Sequence, residues 1–148
     1  DAIVSTHDAA NGLTTDPSDP RGIRNNNPGN IESGAEWEGL NADGTDTRFA
    51  QFDTPEHGIR ALARTLTTYS TKHNLNTVAG IINRWAPTFE NDTSSYAAAV
   101  ASKLGVKPTD TIDVAANMPK LIKAIIKHEN GEQPYSDMVI NKGIEMSK

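Results

Sequence analysis

The sequence predicts an α+β fold in which a small antiparallel β-lobe packs on a mostly helical lobe. Two observations carry this. From Thr54 onward, apolar residues recur at i, i+3, i+4 and i+7 in successive stretches, the spacing of amphipathic helices. Between about 22 and 53 that period is absent, and short apolar pieces alternate with Pro-Gly and Asp-Gly turn formers. The 148 residues suffice for one domain with a single core.

Composition narrows the function classes. The absence of cysteine excludes disulfides, cysteine nucleophiles and thiolate metal sites. A formal net charge of −5 without a dense basic block disfavours nucleic-acid binding, because phosphate neutralisation dominates such affinity. No run approaches the ~20 apolar residues that a membrane span requires, so no membrane insertion is expected. No signal-peptide pattern is present, and a start at Asp1 fits a cut domain or a processed product.

Taken in order, residues 1–20 hold turn formers and no sustained period, and read as a flexible N-terminal tail or linker; a short helix around Ala2 to Ala10 is weakly supported. The block Arg21 to Ile31 contains Asn25, Asn26, Asn27 and Asn30 around Pro28-Gly29, a tight turn with positive-φ positions. Each amide offers donors and an acceptor, the equipment for gripping sugar hydroxyls and N-acetyl groups, although any single Asn there equally serves a local turn or cap. Four of them suggest a polar site wall. Asp43-Gly44 followed by Phe49-Ala50-Gln51-Phe52 predicts a small antiparallel hairpin or three-stranded lobe, with Trp37 in its mini-core rather than stacked on a sugar, and Gln51 pointing opposite to a Phe.

Thr54-Pro55-Glu56 opens a helix with an N-cap, Pro at the first position and an acid in the first turn; Ile59, Leu62, Ala63 and Leu66 form its stripe, and it is expected to end near Tyr69. Thr77 caps a second helix, with Val78, Ile81, Ile82 and Trp85 buried and Pro87 as the stop. A third runs from Ser94 to Leu104, capped by Thr93 and closed by Gly105, with Tyr96, Val100 and Leu104 on one face. A fourth spans Pro119–Glu129, and a last segment follows Pro134-Tyr135-Ser136.

The fourth helix carries the sharpest signal. Ile122, Ile125 and Ile126 make a core stripe whose next position is Glu129, just before Asn130-Gly131. A carboxylate on the packing face at the negative end of a helix dipole is disfavoured in its charged form, the condition a general acid needs near neutral pH. The competing reading is a Glu that rolls into solvent at a frayed end. Glu56 is explained by the dipole at its own helix start.

Other chemistries fit poorly. His7, His57, His73 and His128 are scattered, and His128-Glu129 lacks the second His of a zinc-peptidase helix, so no metal and no cofactor are expected. There is no Gly-x-Ser-x-Gly elbow and no phosphate loop. A carboxylate in an apolar setting, an amide-rich loop and an aromatic-bearing lobe suit glycoside cleavage.

The runs Arg21-Gly-Ile-Arg-Asn-Asn-Asn-Pro-Gly-Asn-Ile31, Phe49-x-x-Phe52-x-Thr54-x-x-x-Gly58-Ile-Arg-Ala61, Arg84-Trp-Ala-Pro87, Glu90-Asn-x-Thr93 and His128-Glu-Asn-Gly131 resemble phage-encoded lysozyme-like proteins. The resemblance covers about 21–148, which it marks as a lysozyme-like catalytic domain. It implies a peptidoglycan-degrading glycosidase, either a muramidase or a lytic transglycosylase, cutting between N-acetylmuramic acid and N-acetylglucosamine. The departure is in chain order. In such proteins the helix ending in the catalytic Glu precedes the lobe, whereas here the upstream segment holds no Glu, so a circular permutation that returns Glu129 to the lobe is expected.

Under this resemblance Glu129 is the general acid. A hydrolase also wants a second carboxylate, for which Glu32, Glu36, Glu38, Asp43 and Asp46 qualify, Glu32 being nearest the Asn loop. The acidity of the lobe tilts the expectation to hydrolysis. Asn26, Asn27, Asn30, Gln51, Tyr96 and Tyr135 are the candidates to hold sugar and orient Glu129. The implied partner is bacterial peptidoglycan, met by a monomer. With no export signal, the protein would stay in the host cytoplasm until release to the cell wall, or ride in a virion. An endopeptidase, or a virion or sugar-binding module without activity, remain the other classes.

Overall fold

A computed structural model of the protein describes residues 18–87 and 92–148. The expected tail lies outside them apart from Ser18, Asp19 and Pro20, as do the suggested helix around Ala2 to Ala10 and the Glu90-Asn91 part of the resemblance.

The described residues are mostly helical, with six helices: α1 (Arg21–Arg24), α2 (Pro55–His73), α3 (Val78–Trp85), α4 (Thr93–Leu104), α5 (Met118–Asn130) and α6 (Asp137–Met146). The local chemistry of each boundary is visible in its caps. Thr54 accepts the His57 N–H, Thr77 that of Gly80, Asp92 that of Ser95 and Ser136 that of Val139, each satisfying one orphan donor of a first turn. Gly105 and Gly131 close α4 and α5 in the left-handed region. α2 runs a turn past Tyr69, because its left-handed cap is Asn74, after which the Leu75 N–H returns to the Tyr69 carbonyl. α4 starts one residue before expectation, because Asp92 rather than Thr93 is its cap.

The core is continuous across α2 to α6. Ile59, Leu62 and Leu66 of α2, Ile81 and Ile82 of α3, Tyr96 and Val100 of α4, and Leu121, Ile122, Ile125 and Ile126 of α5 are all essentially inaccessible. α2 packs most extensively on α6, α4 on α5, and α3 on α4. Burying a Leu or Ile side chain contributes about 1.5–3 kcal/mol, so these stripes dominate the stabilisation.

The β-lobe is where expectation and structure part. Among the described residues there is no β-strand, only isolated antiparallel bridges, of which Glu32 to Phe49 and Leu40 to Phe52 fall in this lobe. The antiparallel register is present in fragments: Ala50 N–H bonds Ile31, Ser33 N–H bonds Arg48, and Asn41 N–H bonds Gln51. Side chains take the donors that a longer ladder would use. Asn27 Oδ1 accepts the Ile31 N–H, Asp46 Oδ1 accepts those of Arg48 and Phe49, and Gln51 Oε1 accepts that of Asp46. The lobe is therefore a side-chain-stapled loop over a small core of Ala50, Phe52 and Ala61, against which Ile31 and Trp37 pack. Trp37 thus sits in the mini-core, as its sequence context predicts.

Candidate active site

The end of α5 and the Asn-Pro-Gly-Asn turn meet. Glu129 Oε1 accepts a hydrogen bond from Asn30 Nδ2 at 3.1 Å, and Glu129 Oε2 accepts one from the Tyr96 hydroxyl at 2.7 Å. The neighbouring Asn130 donates through Nδ2 to the Pro28 carbonyl at 2.8 Å and to its own helix at Ile126. Residues about a hundred positions apart in the chain are so stitched together twice, on both sides of one turn. Glu129 itself is half-buried, neither sealed in the core nor rolled into solvent.

Each partner is held from behind. Asn30 adopts a left-handed conformation at φ 52°, which turns its amide toward α5. Tyr96 is 1% exposed on the core face of α4. Burial first, then the charge of Glu129 and the hydrogen bond to it, push the Tyr96 phenol well above its ordinary range, although a hydrogen bond from Trp85 opposes this. Tyr96 is thus a permanent donor to the carboxylate. Its ring stacks on His128, with centroids 3.7 Å apart. Trp85 lies close to Gly29 and so links the turn to the Tyr96 hydroxyl. Gly22 makes room for the whole junction: a Cβ there would stand 2.5 Å from Asn130 Oδ1 and 2.8 Å from Asn30 Oδ1.

The other asparagines face inward. Asn26 and Asn27 are fully buried. Asn26 Nδ2 donates to the Phe52 carbonyl, and Asn27 Nδ2 to those of Ile31 and Ala50. These amides hold the lobe to the body instead of lining a wall, because the lobe has too few ladder bonds to hold itself. Gln51 is spent in the same way, donating to Asn25 Oδ1 and accepting from Asp46 N–H. Tyr135 is buried in the main core, and burial, with the charges of Asp19, Glu132 and Glu56, pushes its phenol up. It makes no hydrogen bond to Glu129.

Of the lobe carboxylates, Glu32 is exposed and touches Phe49 only through its backbone bridge. Glu38 pairs with Arg60 at 2.9 Å. Asp46 is bound bidentately by Arg21 at 2.7 and 2.8 Å, with Asn25 Nδ2 and the Arg48 and Phe49 N–H groups completing its shell. The Arg21 guanidinium holds this carboxyl far below the usual carboxylate range, helped by the Phe49 N–H, Asn25 and the Arg48 N–H and opposed by burial. Among the described residues no cluster of three or more His, Asp or Glu forms a metal site.

Three of these roles escape the sequence pattern. Trp85 reads as a core residue from its place on a helical stripe, and nothing in periodicity marks its N–H. His128 stacks on a residue 32 positions away. Asp46 is one of several acids in a loop, and only the fold brings Arg21 to it.

The chain is similar to a known phage protein. It is 46% identical over 129 residues to protein P5 of Pseudoalteromonas phage PM2, a match that covers 84% of this chain and 80% of that protein. No family model matches it. At that identity and coverage the chain belongs to the same family as the PM2 protein, a phage protein family. No helix of the described residues is long and apolar enough to cross a membrane.

Proposed function

We propose that this member of the protein P5 family cleaves the β-1,4 bond between N-acetylmuramic acid and N-acetylglucosamine in peptidoglycan, with Glu129 as its acid and base. The observation that carries this reading is the convergence of Tyr96 and Asn30 on the two oxygens of a half-buried Glu129. That contact also supports the fold as a lysozyme-like one whose first helix has moved to the end of the chain. In the forward step, protonated Glu129 gives its proton to the bridging oxygen, and the bond from that oxygen to the anomeric carbon breaks. Tyr96 and Asn30 hold the carboxyl group in place throughout.

A specific observation favours the transglycosylase outcome over hydrolysis. Asp46 is saturated by five donor contacts, Glu38 is paired with Arg60, and none of the lobe acids bonds to the Glu129 shell. A single-acid route needs no second carboxylate. The muramic N-acetyl oxygen closes on the anomeric carbon as the bond breaks. Glu129, now a carboxylate, then takes the proton of the C6 hydroxyl, whose oxygen attacks the same carbon, reopens the ring of the N-acetyl adduct and leaves a 1,6-anhydro end.

A murein zymogram of the wild type and Glu129→Gln tests the reaction. Clearing by the wild type that the variant loses supports it. Clearing that survives the substitution and disappears on chelation points to a metal endopeptidase, and no clearing by the wild type points to a binding module. Mass spectrometry of the released muropeptides then separates anhydro from reducing ends.

A further inference from the structure

A concave site is lined by none of the residues of the Glu129 shell. A cavity of about 250 Å³ is walled by Trp37 from the lobe, Arg64, Thr68, Tyr69 and His73 from α2, and Arg84 from α3. In a chain with 19 acids against 14 Lys and Arg, this lining holds three basic side chains and, among the described residues, no carboxylate. Arg84 lies over the Tyr69 ring, 5.3 Å from its centroid, at the cavity wall. Arg64 spends one N–H on the Ser147 carbonyl at 3.1 Å and keeps the rest of its fork. The buried Trp37 indole N–H has no acceptor among the described residues.

This combination suits a carboxylate-bearing ligand. Two guanidinium forks match carboxylate geometry, and the Trp and Tyr rings supply apolar contact for the chain that carries it. The lysine-lined cavity at Lys103, Lys120, Lys123 and Lys127 is a poorer candidate: Lys123 is paired with Asp137, Lys127 bonds the Gly131 carbonyl, and among the described residues no aromatic lines it. Arg84 adjoins Trp85, the residue that bonds Tyr96, so α3 carries a residue of the cavity next to one of the Glu129 shell.

We infer that the Trp37–Arg64–Arg84 cavity binds the acidic stem peptide of peptidoglycan, so that the protein engages peptide-bearing glycan in preference to bare glycan. The inference rests on the glycosidase reading for its substrate. The guanidinium groups pair with the peptide's free carboxylates and the rings cover its aliphatic stem.

Two measurements test it on the full chain. In the first, wild type and Arg64→Ala/Arg84→Ala are compared on intact murein and on glycan strands stripped of peptide by an amidase. Two charge-assisted hydrogen bonds are at stake, so the double variant should lose about tenfold in kcat/KM on intact murein, through KM, with no loss on stripped strands. Equal losses on both substrates, or none on either, overturn the inference while leaving the glycosidase reading intact. In the second, calorimetric titration with the free murein tripeptide measures binding without turnover. Saturable binding by the wild type that the double variant loses, and that Arg64→Lys/Arg84→Lys partly keeps, supports the inference even if neither glycan is cut. Absence of binding by a wild type of normal melting temperature overturns it. Failure to cut either glycan overturns the glycosidase reading alone.

Discussion

Glu129 and Asp46 are both carboxylates that accept several hydrogen bonds, yet their surroundings suit them to opposite tasks. Asp46 faces a cation: Arg21 grips both its oxygens, and Asn25 and two backbone N–H groups add to that. Its charge is locked, and it works as a staple between α1 and the lobe. Among the described residues, the hydrogen-bond donors to Glu129 are neutral, a phenol and an amide, at the half-buried end of a helix. Neutral donors orient a carboxylate without binding it to a permanent positive charge. Fixed orientation at a half-buried position is what acid–base catalysis asks for. A saturated ion pair is what a loop without strands asks for.

The comparison can be broken at several points. Glu129→Gln should cost roughly 10²- to 10⁴-fold in turnover of murein with little change in melting temperature, the range expected for a lost general acid. Unchanged turnover would remove Glu129 from the chemistry. Tyr96→Phe should leave Glu129 with its Asn30 contact only, and reduce kcat roughly 10- to 100-fold at similar KM, the scale of one hydrogen bond to a charged group. A Tyr96→Phe enzyme of full kcat would mean that the phenol is merely a core ring.

Asp46→Asn inverts the pattern. We expect a stability loss of about 2 kcal/mol in denaturant titration, discounted for the solvent-exposed side of the Arg21 pair, with turnover nearly intact. The same residue sets a pH dependence. Its folded carboxyl lies below the ordinary range, so its contribution is complete above the unfolded value and is lost as pH falls toward the folded one. Wild type should therefore lose stability in strong acid more steeply than Asp46→Asn, and parallel acid profiles would contradict the staple.

The smallest effect belongs to Gly22→Ala, whose Cβ would sit 2.5 Å from Asn130 Oδ1 and 2.9 Å from the Asn27 carbonyl. A destabilisation of about 1 kcal/mol or more is expected, with a drop in turnover smaller than that of Tyr96→Phe, because the junction must open to admit a methyl group. A neutral substitution would show that the turn and α5 are not held tightly together.

Apart from α1, a single helical turn at Arg21–Arg24 in a block whose turn formers argue against any regular helix, the helices were legible because their causes are local. Apolar period, Thr54, Thr77, Ser136 and the closing glycines each act within a few residues, and the spans follow within a turn. The misreadings occur where side chains compete with the backbone. The alternation around Phe49-Ala50-Gln51-Phe52 is real, but Asp46, Asn27 and Gln51 take up donors that strands would have shared. The same competition explains why an amide-rich loop that reads as a sugar-binding wall sends only Asn30 to the site.

What the sequence determined by itself is the helix whose last turn carries Glu129, since a core stripe that runs into a carboxylate before Asn-Gly is a statement about neighbours on one helix. That Tyr96 rather than Tyr135 would donate to that carboxylate, and that Asp46 rather than Glu32 would be the lobe's committed acid, only the tertiary structure decided. The reason is range. Periodicity and capping act over one or two turns of chain, whereas the environment of a carboxylate is set by whichever donors packing brings to it, from 33 residues away for Tyr96 and 99 for Asn30.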